Sequence, residues 1–127
     1  MRYAVRLIVI FCFLFIACDQ GQVAGGPDFT TMGKGFVEML AKADYAGAFA
    51  KFDATMKGAM PVEQIEGAWR SLLAETGDFN KIAGVRQAKE QGYDVVYVTC
   101  EFEKSQLDVK VVYNNKKEVA GLWFLPK

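Results

Sequence analysis

Three early stretches of the chain repeat their apolar residues at steps of three and four, and a later stretch repeats them at every second position. In the first, Phe29, Met32, Phe36, Met39, Leu40 and Ala43 follow the helix-starting pair Pro27-Asp28 and mark one face of a helix. Gly33 and Gly35 weaken its early turns by up to about 1 kcal/mol each unless a neighbour packs closely there. In the second, Asp44 is placed to cap a helix that carries Tyr45, Ala48, Phe49 and Phe52 along one side. Ala54 to Met60, interrupted by Gly58, reads as a loose turn. The third helix begins at Pro61, a residue tolerated there because it has no amide to leave unpaired. Its apolar face is Ile65, Trp69, Leu72, Leu73 and Thr76, and Gly77 closes it in the left-handed conformation.

Beyond Gly77 the period falls to two. Phe79 to Ala88 reads as a weak strand or an irregular segment, Tyr93 to Glu103 as a strong strand, Leu107 to Tyr113 as another and Val119 to Leu125 as the last. Turns this short make consecutive strands antiparallel, since a parallel return needs a crossover of a dozen or more residues. Three helices followed by about four strands define an α+β domain over residues 28–127. Parity places Val96, Val98, Cys100 and Phe102 against the helices, with Leu107, Val109, Val111 and Tyr113 beside them. The last strand is apolar on both sides, so one of its faces must meet something else. The expectation is an outer patch of Val95, Tyr97, Val112, Leu122 and Phe124, covered by a protein partner or a second copy of the chain.

The segment ahead of the domain reads as an address. Arg2 and Arg6 precede an uncharged run from Leu7 to Ala17, which stops at Cys18-Asp19-Gln20. That run is short of the roughly 20 apolar residues a membrane-spanning helix needs. Phe15-Ile16-Ala17-Cys18 resembles the lipobox of bacterial lipoproteins, although leucine is usual where Phe15 stands. The resemblance implies a signal peptide over 1–17 and lipid on Cys18, and the three glycines and two glutamines of Asp19 to Gly26 make 18–27 a flexible tether. An ordinary secretory signal or an uncleaved anchor is the alternative. Two or more acyl chains on one residue hold a protein to a bilayer where a single chain is marginal. In a Gram-negative cell, Asp19 after the lipidated cysteine implies the periplasmic side of the inner membrane. With Cys12 removed and Cys18 acylated, Cys100 is left alone, as a small buried hydrophobe on an alternating strand.

Composition removes several kinds of chemistry. The chain has no histidine, so it cannot supply a Ser-His-Asp or Cys-His site or a His-rich metal cage. Fifteen basic and fifteen acidic side chains, with only four arginines, do not make the basic stripe of a nucleic-acid binder. No cofactor, metal ligand set or catalytic residue is assigned. Asp44 and Asp53 read as helix caps or turn ligands, Tyr113 as a core residue, Glu101 and Glu103 as solvated, and Asp94 as a surface residue near a turn.

The order of elements resembles the nuclear transport factor 2-like, cystatin-like cone, in which a curled antiparallel sheet wraps a long helix. More narrowly, Phe36 to Pro126 resembles the bacterial domain-of-unknown-function family 3887. The matching residues are Phe36, Val37, Leu40, Asp44, Tyr45, Phe52, Asp53, Met56, Pro61, Trp69, Gly77, Phe79, Cys100, Phe102 and Gly121-Leu122-Trp123-Phe124. The resemblance implies an extracytoplasmic module that stands alone on lipoproteins or precedes an α/β-hydrolase, and it carries no catalytic residues over. A Gly-x-Ser-x-Gly nucleophile elbow does not occur in these 127 residues. The expected function is therefore a membrane-tethered, noncatalytic binding or protein-interaction module. The alternative is a small-molecule carrier or an isomerase-like enzyme without histidine, using a pocket at the cone mouth lined by Tyr45, Trp69 and Trp123.

Overall fold

In a computed structural model that describes residues 28–127, four helices precede four strands. The helices are α1 (Phe29–Ala41), α2 (Tyr45–Ala50), α3 (Ala54–Ala59) and α4 (Val62–Thr76). The strands are β1 (Phe79–Glu90), β2 (Tyr93–Phe102), β3 (Gln106–Tyr113) and β4 (Val119–Pro126), forming one antiparallel sheet in chain order. The signal segment 1–17, Cys18 and the tether lie outside the described residues. No helix among the described residues is long and apolar enough to cross a membrane.

Aspartates start three of the helices, because a carboxylate in the capping position accepts from amides that have no partner inside the helix. Asp28 accepts from the Thr30 amide at 3.0 Å, Asp44 from Gly47 at 3.0 Å and Asp53 from Met56 at 2.8 Å. Asp53 thereby turns the expected loose turn at Ala54 to Met60 into a fourth helix, correcting the count of three. That helix buries no residue of its own, which is why no apolar stripe announces it. At the far end of α4, Gly77 has φ 82° and ψ −173°, a region essentially open to glycine only, and its amide donates to the Leu73 carbonyl.

Register explains which side of each strand is buried. Val98 pairs with Val109 and then Phe124, and Val96 with Val111 and then Leu122, so these six side chains share the helix-facing side. β4 enters that face out of step. A bulge between Val112 and Tyr113 in the pairing sets Tyr113 opposite Val119 but Val112 opposite Gly121. The phase of β4 reverses across Ala120. Leu122 and Phe124 therefore pack on the core, and the expectation that placed them in the outer patch is corrected. β1 holds two such irregularities, so Phe79, Ile82 and Val85 reach the core at three-residue spacing and the strand looks weak to a period-two reading.

The core lies between α1, α2, α4 and the inner sheet face. Trp69, 2% exposed, touches the rings of Phe79, Phe102 and Phe124 at centroid distances of 5.9–6.2 Å. Gly33 lets α1 settle on the sheet, because a Cβ there would stand 2.6 Å from Val96 Cγ1.

Candidate functional site

The outer face of the sheet carries no helix of the described domain, and its chemistry is organised by register. Arg86, Tyr97, Lys110 and Trp123 are direct partners on β1, β2, β3 and β4, one residue per strand. Cations and aromatic rings alternate along this row. The Arg86 guanidinium sits 4.0 Å from the Tyr97 ring centroid, and the Lys110 ammonium lies 5.7 Å from Tyr97 and 5.3 Å from Trp123. Such contacts contribute about 0.5–1 kcal/mol each at exposed positions.

Trp123 is 49% exposed. The indole covers Gly121, two residues back on the same side, where a Cβ would come within 2.5 Å of ring atom Cζ3. An indole already packed on its own strand loses little freedom when a partner covers it, which is one reason tryptophan dominates contact energy in interfaces. Tyr93, at the start of β2, is the other large apolar side chain left open among the described residues, at 45%. Between them Glu90, Val95, Lys110, Val112 and Trp123 line a shallow depression.

Glu90 ties the row together. It accepts a hydrogen bond from the Tyr97 hydroxyl and pairs with Lys110 at 3.0 Å. These two contacts, the tyrosine first, hold the Glu90 carboxyl below its ordinary range. In return the Tyr97 phenol is pushed up by its bond to Glu90 and then by burial, and the Lys110 ammonium is pushed up by the same carboxylate. Further along the face, Asp108 accepts from the Thr99 hydroxyl at 2.7 Å and lies 3.8 Å from Arg86 and 3.9 Å from Lys127. The face is thus charge-balanced, with each carboxylate already next to a cation.

Of the residues singled out in the sequence, Val95, Tyr97 and Val112 do lie on this outer face, whereas Leu122 and Phe124 lie on the inner one. Val95 is buried although it belongs to the outer side, so the apolar patch is smaller than expected. Trp123 takes the place that Leu122 and Phe124 leave. The expected cone-mouth trio does not converge: Trp69 is in the core, Tyr45 is half-buried against it, and Trp123 is on the opposite side of the sheet. Asp44 and Asp53 act as caps, and Asp94 pairs with Lys89 at 3.1 Å. Glu101 stands 3.9 Å from Lys81, while Glu103 accepts from the Asp78 amide and so pins the end of α4 to the sheet. Among the described residues no group of three or more Cys, Asp or Glu side chains is placed to hold a metal ion. No helical stripe or strand alternation marks Arg86, Glu90, Lys110 and Asp108 in the sequence. The signal that finds them is cross-strand register, which depends on where the bulges fall.

These features define an α+β domain with a curled antiparallel sheet that keeps one aromatic, charge-balanced face free of its own helices. A match to the protein family of unknown function DUF3887 extends over residues 34–122, and the chain belongs to that family. Over 89 residues it is 27% identical to the protein named Esterase EstD of Thermotoga maritima. The alignment covers 70% of this chain but only 22% of that protein, so the chain spans less than a quarter of the relative's length. No solved structure matches the chain.

Proposed function

We propose that the protein is an extracytoplasmic lipoprotein, tethered to the membrane through lipid on Cys18, whose domain is a noncatalytic protein-interaction module. In this reading the helices and curled sheet are a nuclear transport factor 2-like, cystatin-like cone, and the outer face of the sheet is the docking surface. The observation that carries it is Trp123, half exposed and packed over Gly121 at the end of the Arg86–Tyr97–Lys110 row. Tryptophan, tyrosine and arginine are the residues most enriched among those that dominate interface energy. The relative named an esterase supports a modular role, because there the matching segment is one part of a much longer chain.

The occupant that the face fits best is a second copy of this chain. Arg86 and Lys110 share the surface with Glu90 and Asp108, and a two-fold axis can set the cations of one face against the carboxylates of the other. Photo-crosslinking in intact cells, with the reactive residue placed at 93 or 112 so that Trp123 is kept, tests this. An adduct of twice the chain's mass supports the proposal. An adduct with another protein keeps the module and changes its occupant, and no adduct at either position removes the docking surface. The tether is tested separately: Cys18→Ala should abolish palmitate labelling and release the protein from membranes, and unchanged membrane retention would contradict lipid anchoring.

A further inference from the structure

On the helix side of the sheet, one edge of α1 leaves space. Met32, Phe36 and Met39 face Tyr113, at the end of β3, across a cavity of about 160 Å³. Gly35 sits in its wall, and a Cβ there would meet nothing within 4 Å. The volume matches that of engineered apolar cavities that take up benzene, about 150 Å³. Methionine walls adapt readily to the shape of an apolar guest.

The mouth carries charge of one sign. Lys51 and Lys117 both line the cavity, and no carboxylate does. They are far apart in sequence and are joined by backbone hydrogen bonds. The Val119 amide donates to the Lys51 carbonyl at 2.8 Å, and the Asp53 amide donates to the Val119 carbonyl at 2.9 Å. The turn bearing Lys117 is fixed by the Asn114 side chain, which accepts from the amides of Lys116 and Glu118. Lys117 itself has φ 66°, a conformation that normally favours glycine or asparagine.

Tyr113 supplies the second, independent observation. It is 2% exposed and lines this cavity, and its hydroxyl has no hydrogen-bond partner among the described residues. Burial is the cause that pushes its phenol up. A buried hydroxyl without a partner is costly, and native structures supply a partner from protein, water or ligand.

We infer that the cavity binds a small amphiphilic carboxylate: an aliphatic tail of about six carbons lies between Met32, Phe36 and Met39, and the carboxylate meets Lys51, Lys117 and the Tyr113 hydroxyl. The site is separate from the outer sheet face, on the other side of the sheet, and does not depend on what docks there.

The test is a titration of the full chain in nanodiscs with heptanoate, read by NMR of 13C-methyl methionine. The Met32 and Met39 methyls should shift and saturate with a Kd below about 1 mM, while Met56 and Met60 stay in place. Heptylammonium should leave the same methyls unmoved. The double variant Lys51→Gln, Lys117→Gln changes only exposed side chains and should weaken heptanoate about tenfold. Tyr113→Phe keeps the ring, removes the hydroxyl and should also weaken binding, and Gly35→Leu should block the cavity. Shifts that never saturate, equal binding of heptylammonium, or an unchanged Kd in the double lysine variant would each overturn the inference.

Discussion

Trp69 and Trp123 look alike as residue types and differ completely in surroundings, so they should respond differently to truncation. Trp69→Ala removes a side chain that fills the space between α4, β1, β2 and β4, and should cost about 3–5 kcal/mol in denaturant unfolding. Trp123→Ala removes an indole packed over a glycine and one cation contact, and should cost about 1 kcal/mol, the scale of a single exposed cation–π pair. Equal losses for the two variants would contradict this assignment of faces. Cys100 and Tyr113 set how stability depends on pH on the alkaline side. Burial, with some help from the Asp108 charge, pushes the Cys100 thiol from 9.0 up to about 12, and burial also raises Tyr113. Both folded values lie above the unfolded ones, so this stability is intact below about pH 9 and is lost as pH rises from there through the folded values. The expected slope is about 1.4 kcal/mol per pH unit for each group that ionises only when unfolded. Stability measured from pH 7 to 11 should be flat and then fall, and Cys100 should resist thiol reagents in the folded protein at pH 8.

Elements were legible in the sequence where one signal sufficed and obscure where two competed. The inner faces of β2 and β3 follow from strict alternation of Val96, Val98, Cys100 and Phe102 against Leu107, Val109, Val111 and Tyr113, and the structure keeps both. β4 is apolar on both sides, and a single bulge decides its phase, so Leu122 and Phe124 exchange roles with Trp123. Alternation alone cannot locate a bulge. α3 is short, and Met56 alone of its residues packs partly on the core, which left Asp53 as its clearest mark. The two early glycines of α1 show the same contrast in miniature. Gly33 lies against the side chains of Val96 and Val98, where a Cβ would stand 2.6 Å from Val96 Cγ1 and 3.1 Å from its Cβ, whereas Gly35 meets open space. Gly33→Ala should therefore destabilise the domain by about 1–2 kcal/mol, since crowding outweighs the gain in helix propensity. Gly35→Ala should stabilise it by up to about 1 kcal/mol. Thermal unfolding of the two variants side by side checks both signs.

For the whole molecule, the two faces of the sheet have separate duties: one completes the core, and the other is left aromatic and charge-balanced. The cavity on the helix side was illegible because Lys51, Tyr113 and Lys117 converge only through the backbone bonds that join Lys51 to Val119. The outer row was illegible because Arg86, Tyr97, Lys110 and Trp123 are separated by turns and bulges whose lengths set the register. Balanced charge on the outer face means that a self-association there should tolerate salt better than a purely ionic one would, because the indole carries part of the contact. Sedimentation velocity of the full chain in detergent, comparing the natural sequence with Trp123→Ala over a range of concentrations, tests the docking face most directly. Pairing through Trp123 gives a two-copy species that grows with concentration for the natural sequence and a single-copy species for Trp123→Ala. A natural chain that stays single at every concentration, or a Trp123→Ala variant that pairs as well, would contradict it.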